Sequence, residues 1–251
     1  MNPFITLKKG ISYLKHVEIP IALSILGFEE ELRNVIGTLA ESPIMQKIRV
    51  LSLGVEGIHI DLVRPPYSDH SRFPDDLIGD LVPCLSGIPT GLHIMAPDPV
   101  RLIRKLGCLS LMKPAPVVTV HREAFEGWRE ASGVLREIRD LGLSPGVTLD
   151  LPTPAEALQP EVVEEADLIQ VMSVPAGKGG QRFRGEAISK ISRLKRAYPG
   201  KPLEVDGGIN DETGKKALEA GADRLVVGSF ITRSSDPMAT LESLRIKLSS
   251  A

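Results

Sequence analysis

The chain has only two cysteines, Cys84 and Cys108, and no CxxC pair. They read as reduced, small apolar residues of a cytoplasmic protein rather than as a disulfide framework. No uninterrupted apolar run approaches the ~20 residues that a membrane helix needs. The first twenty residues are broken by Lys8, Lys9, Lys15, His16 and Glu18, so no signal-peptide core is expected there. Nor does one sign of charge dominate. Thirty basic against thirty-two acidic residues leave a formal charge of −2, which provides no global positive field. Nucleic acid and a membrane are therefore not expected partners, and the expected location is the cytoplasm.

What the chain does have is an alternation. It holds 251 residues, 42% hydrophobic and 25% charged, enough for one α/β barrel of about 250 residues or for two smaller domains. Short apolar runs predict strands at Ile19–Ile25, Gly57–Leu62, Thr90–Met95, Val117–His121, Ser144–Leu149, Leu168–Met172, Pro202–Val205 and Arg224–Val227. Amphipathic stretches between them predict helices at Glu29–Leu39, Asp75–Leu85, Pro99–Leu106, Phe125–Leu141, Pro154–Glu164, Glu186–Tyr198, Glu212–Ala220 and Pro237–Leu248. Asp98-Pro99 and Thr153-Pro154 look like a capping side chain followed by a first-turn proline. Leu39–Gly57 is longer than one helix needs and is expected to hold an extra turn. Strands this apolar suit a parallel sheet covered on both faces. The expected fold is α/β, a single (β/α)8 barrel over residues 1–251. Residues 1–18 form an N-terminal extension that would plug its base. A doubly wound open sheet is weaker, because Gly27-Phe28-Glu29 after the first strand is not a GxGxxG turn.

In such a barrel the chemistry lies at the C-terminal strand ends. The second strand ends in His59 and Asp61, on one face by alternation. The third carries His93, and the seventh runs into Asp206. Two imidazoles and two carboxylates make a candidate N/O site for a divalent metal. Each alone reads equally well as a hydrogen-bonded polar residue at a strand exit. Three glycine turns follow the last three strands: Gly177-Lys178-Gly179-Gly180, Gly207-Gly208 and Gly228-Ser229. Glycine lets backbone N–H groups approach a phosphate, although tight turns alone would use the same residues. Met95 and Met172 sit at strand ends, as an apolar wall or as plain core. Trp128 is expected to pack a helix.

Leu23-Ser24-Ile25-Leu26, His59-Ile60-Asp61, His93-Ile94-Met95, Val120-His121-Arg122-Glu123, Met172-Ser173-Val174 with Gly179-Gly180-Gln181-Arg182-Phe183, Val205-Asp206-Gly207-Gly208 and Gly221-Ala222-Asp223 with Gly228-Ser229 resemble, in order and spacing, the ribulose-phosphate 3-epimerase family. The resemblance implies one divalent ion (Zn, Fe, Mn or Co) held by His59, Asp61, His93 and Asp206. It implies Asp61 and Asp206 as acid and base, substrate contacts from Ser24 and His93, and phosphate on the glycine turns. A phosphorylated ketose, most simply D-ribulose 5-phosphate, is the implied substrate, and a homo-oligomer the implied assembly. His121 and Glu123 match a motif that would support the site.

The chemistry is consistent with that resemblance. Inverting a carbon beside a ketone takes a proton from one face and returns one to the other, and each carboxylate contributes roughly 10²–10⁴-fold. Strands 2 and 7 lie about 135° apart around an eight-strand ring, so Asp61 and Asp206 would flank a substrate across the mouth. A cation between them would stabilise an enediolate. Two segments depart from the family: Leu62-Val63-Arg64-Pro65-Pro66 and Pro175-Ala176-Gly177-Lys178. Arg64 and Lys178 would add positive charge at the mouth, which leaves open an extra anionic group or a longer sugar such as a hexulose 6-phosphate. Solvated loop cations explain them equally. The aldol or decarboxylase chemistry of related phosphate-binding barrels and a sugar-phosphate binder without catalysis are the remaining alternatives. His16, and His70 in the loop with Tyr67, Asp69 and Arg72, are expected at the surface.

Overall fold

The computed structural model describes residues 19–249. The expected N-terminal extension, with its plug and His16, and the side chain of Cys108 lie outside the described residues. Eight parallel strands close into a barrel in sequence order: β1 Ile21–Ser24, β2 Gly57–Val63, β3 Thr90–Met95, β4 Val117–His121, β5 Ser144–Leu149, β6 Leu168–Met172, β7 Leu203–Asp206 and β8 Arg224–Val227. Around it run α1 Glu29–Arg33, α2 Pro43–Ser52, α3 Asp75–Cys84, α4 Pro99–Lys105, α5 Trp128–Asp140, α6 Pro160–Glu165, α7 Glu186–Ala197, α8 Asp211–Glu219, α9 Ser229–Thr232 and α10 Pro237–Ser249. This is the (β/α)8 architecture expected. No helix among the described residues is long and apolar enough to cross a membrane.

Alternation along each strand divides the chain into two populations. One phase, including Leu23, Ile58, Ile60, Leu92, Val118, Val147, Ile169, Val205 and Leu225, joins the core against the helices. The other phase is unusually polar, and its members meet inside the barrel. Gln170 accepts from the hydroxyls of Thr119 at 3.1 Å and Thr148 at 2.7 Å, and donates to Glu204 at 3.1 Å. Glu204 pairs with Arg224 at 3.1 Å. All but Arg224 are buried. This closed polar layer is the floor on which the mouth is built.

Several boundaries differ from expectation. The helix expected at Glu29–Leu39 stops at Arg33, and the chain turns through Gly37 at φ +85°, whose N–H donates to Asp80. The extra turn expected in Leu39–Gly57 is a full helix, α2, capped by Ser42 accepting from Met45 N–H. Asp98 does cap α4, accepting from Arg101 N–H. Thr153-Pro154 caps no α-helix: a single 3₁₀ turn follows, and α6 starts six residues later at Pro160. Strand β7 begins at Leu203, one residue late, because Pro202 has no N–H for the ladder and instead lends its carbonyl to Ile169. Helix α5 starts at Trp128, whose half-buried ring packs against the core. Cys84 carries a free thiol.

Gln170 satisfies three buried partners at once, so replacing it should cost more than removing one of its donors. Gln170→Leu is expected to lower the unfolding free energy by roughly 2–4 kcal/mol, and Thr119→Val by about 1 kcal/mol. Urea denaturation of the two variants checks the order; equal losses would contradict the hub role.

Candidate metal centre and active-site mouth

Register brings the site together. Asp61 of β2 lies directly opposite His93 of β3, Ser24 of β1 opposite His59, and Met172 of β6 opposite Asp206 of β7. One donor atom from each of His59, Asp61, His93 and Asp206 lies within 4.8 Å of the other three. The Nε2 of His59 is 3.3 Å from Asp61 Oδ1 and 3.6 Å from Asp206 Oδ2. The Nδ1 of His93 is 3.3 Å from the same Asp61 oxygen and 3.5 Å from the same Asp206 oxygen. A pocket of two nitrogens and two anionic oxygens at this spacing fits a borderline divalent cation. The residues named from the sequence are the residues the fold collects.

Electrostatics fit the same occupant. Burial opposes a charged imidazolium at His59, but Asp61, Asp206 and Glu204 outweigh it and push its pKa up to about 9. His93 is raised as well, by its bonds to Asp206 and Asp61 against the same burial penalty. Burial also opposes charge on Asp61, yet His59 and His93 hold its carboxyl well below the usual range. A cation taken up between these groups would displace those protons.

Behind His59 stands a carboxylate, and behind His93 a second imidazole that is itself backed by one. His59 turns its Nδ1 toward Glu204 at 4.0 Å. The Nε2 of His93 meets the Nε2 of His121 at 2.8 Å, and His121 Nδ1 meets Glu123 Oε2 at 3.3 Å. His93 and His121 are wholly buried, with rings stacked at 5.0 Å. Glu123 also accepts from Asp150 N–H at 2.9 Å.

The mouth above is a cavity of about 270 Å³ lined by Ser24, Asp61, Met95, Met172, Asp206 and all three glycine turns. Both methionines are buried and line it, the first of the two positions open to them. The loops after β2 and β6 close one side. A Cβ on Gly177, at φ +101°, would sit 1.9 Å from the Tyr67 carbonyl, so only glycine permits this contact. The Tyr67 ring lies 5.0 Å from that of His121. Gln181 and Asp150 hold the β6 loop from below, Gln181 donating to the Pro175 and Lys178 carbonyls and Asp150 accepting from Ala176 N–H. Gly208, at φ +63°, packs on Phe183 with no room for a side chain.

One expectation changes here. Arg64 is not a free cation at the mouth: it donates to the carbonyls of Val63, Arg72 and Phe73 and pairs with Asp75 at 2.7 Å. It staples its own loop. Ser24, implied as a substrate contact, donates to Asp61 Oδ2 at 2.9 Å. Lys178 does line the cavity and is exposed, whereas His70 is loop surface. Glu29, Arg72 and Arg233 also line the mouth and carry no strand-end signal in the sequence.

Glu123 offers a pH test of the chain behind His93. Burial works against its charge, but His121, Thr153 and Asp150 N–H lower its pKa to about 2. A folded-state pKa below the unfolded value stabilises the fold above about pH 4.5, and that contribution is lost as pH falls toward 2. Glu123→Gln should therefore cost on the order of 2 kcal/mol at pH 7 and much less at pH 3. A pH-independent difference in urea denaturation would contradict the assignment.

Known proteins resemble this chain at both levels. A sequence profile described as "Ribulose-phosphate 3 epimerase family" matches residues 41–232, which begins after Ser24. The ribulose-phosphate 3-epimerase of Mycobacterium tuberculosis (strain H37Rv) is 31% identical over 196 residues, covering 76% of this chain and 82% of that protein. That of Bacillus subtilis (strain 168) is 31% identical over 201 residues, covering 76% and 87%. Among solved structures, orotidine 5'-monophosphate decarboxylase from Sulfolobus solfataricus superposes with a TM-score of 0.59 at 13% identity, covering 92% of this chain and 97% of that one. Thiamine phosphate pyrophosphorylase from Pyrococcus furiosus gives 0.55 at 16%, covering 93% and 96%. Identities this low carry the barrel alone. The profile match and the two 31% identities carry more, and by them the chain belongs to the ribulose-phosphate 3-epimerase family, isomerases that act on carbohydrates.

Proposed function

We propose that this enzyme epimerises C3 of a ketose phosphate, interconverting D-ribulose 5-phosphate and D-xylulose 5-phosphate, with Asp61 and Asp206 as the acid–base pair. The observation that carries the reading is the convergence of those carboxylates, from strands β2 and β7, on one donor set within 4.8 Å. One carboxylate takes the C3 proton, the bonding pair moves into the C2 carbonyl, and the other carboxyl group delivers a proton to the opposite face. A divalent ion held by His59, Asp61, His93 and Asp206 supplies positive charge against the negative charge that develops on the substrate oxygens.

The chain's own groups prepare that exchange. Ser24 fixes one Asp61 oxygen, leaving the other turned toward the imidazoles. With Nδ1 of His93 facing the donor set, its Nε2–H donates to His121. His121 then keeps its proton on Nδ1, pointed at Glu123. His59 faces the set through Nε2, with Glu204 nearest its Nδ1. Carboxylates behind ligand histidines orient the rings and raise their basicity. Met95 and Met172 wall the reacting carbon with apolar, polarisable surface. The glycine turns Gly177-Lys178-Gly179-Gly180, Gly207-Gly208 and Gly228-Ser229 would take the phosphate at the far end of the cavity.

Incubation with D-ribulose 5-phosphate in D₂O tests the reading: deuterium should enter at C3 as D-xylulose 5-phosphate forms. Asp61→Asn and Asp206→Asn should each slow incorporation by roughly 10²–10⁴-fold. The purified protein should carry about one divalent ion per chain, and chelation should abolish exchange. Including a hexulose 6-phosphate decides chain length, and faster exchange on that sugar would replace the pentulose assignment.

A further inference from the structure

We infer that Arg233 and Lys178 form a side-chain clamp for the substrate's phosphate at the outer edge of the glycine turns. The inference rests on the reading above and names the residues that would make its anion site selective.

Arg233 directly follows α9, and its backbone N–H closes that turn on Ser229. Its guanidinium lies over Gly180: a Cβ there would come within 3.0 Å of both Nη atoms. Glycine at this position leaves the fork its place. Lys178 belongs to the same turn, two residues earlier. Both line the cavity that contains Ser24, Asp61 and Asp206. Among the described residues, neither side chain has a hydrogen bond or ion pair.

The remaining charges of the cavity are spoken for, with one exception. Glu29 is held by Arg33 and Arg72 and by Phe73 N–H. Asp61 and Asp206 belong to the donor set. Glu30 is the other acid on this rim. Two cations against one carboxylate leave the edge of the cradle positive. A planar guanidinium matches two phosphate oxygens at once, while an ammonium adds a point charge. Backbone N–H groups alone accept many oxyanions, whereas two added cations favour a dianion.

Calorimetric titration of the metal-loaded protein with inorganic phosphate tests this without turnover. Arg233→Gln should weaken phosphate binding about tenfold and Lys178→Gln about threefold, with Arg233→Lys intermediate. In the exchange assay KM for D-ribulose 5-phosphate should rise in parallel, with far less change in kcat. Raising salt should shrink the difference between Arg233→Gln and the unsubstituted protein. Phosphate affinity unchanged in Arg233→Gln, or no phosphate binding by the unsubstituted protein, would overturn the clamp. Absent deuterium exchange alongside an Arg233-dependent phosphate site would overturn the epimerase reading and leave the clamp standing.

Discussion

The constraint that organises this molecule is charge balance at the top of the barrel. Two carboxylates and two imidazoles converge where little water reaches them, and buried anions are tolerable only when paired and hydrogen-bonded. Positive charge must sit between Asp61 and Asp206. The raised proton affinity of His59 and His93 expresses that demand, and the N/O donor set answers it with a place for a divalent ion. The register of β2 on β3, which sets Asp61 opposite His93, follows from the strand pairing. So does the polar layer beneath, where Gln170 and Arg224 keep Glu204 satisfied below His59. Slipping one strand by a single residue would turn one of these four side chains out of the barrel.

Much of this was legible in the residues. The outward phase of every strand is so apolar that it bounds five of the eight strands to the residue, and the proline at 202 delays the start of β7 by one. His59, Asp61, His93 and Asp206 stood out because a charged or ligating residue ending an apolar run has few places to go except the mouth. Helical segments were harder. The chain from Glu29 to Leu39 has helical composition, but Gly37 in a left-handed conformation and its bond to Asp80 end the helix early. Thr153-Pro154 has the look of a cap, yet the Thr153 side chain turns to Glu123.

Residues whose role depends on distant partners were the least legible. Proximity to β2 makes Arg64 read as a mouth cation, but four oxygens of its own neighbourhood claim it. Gln170 looks like an ordinary polar residue inside a strand until Thr119, Thr148 and Glu204 are placed around it. Arg233 follows the last short helix, with nothing in its local sequence to separate it from a surface arginine; only the approach of the β6 turn to α9 brings it over Gly180. Pairings between loops come from the closure of the ring, and a linear reading has no access to that closure.

The contact between the Tyr67 carbonyl and Gly177 joins two excursions that leave the barrel from strands far apart in the ring. Each is the other's abutment, and the Tyr67 ring is wedged over His121 beneath the span. Lengthening or shortening either arm alone would unseat the keystone. This side of the mouth is thereby a matched pair rather than two separate pieces.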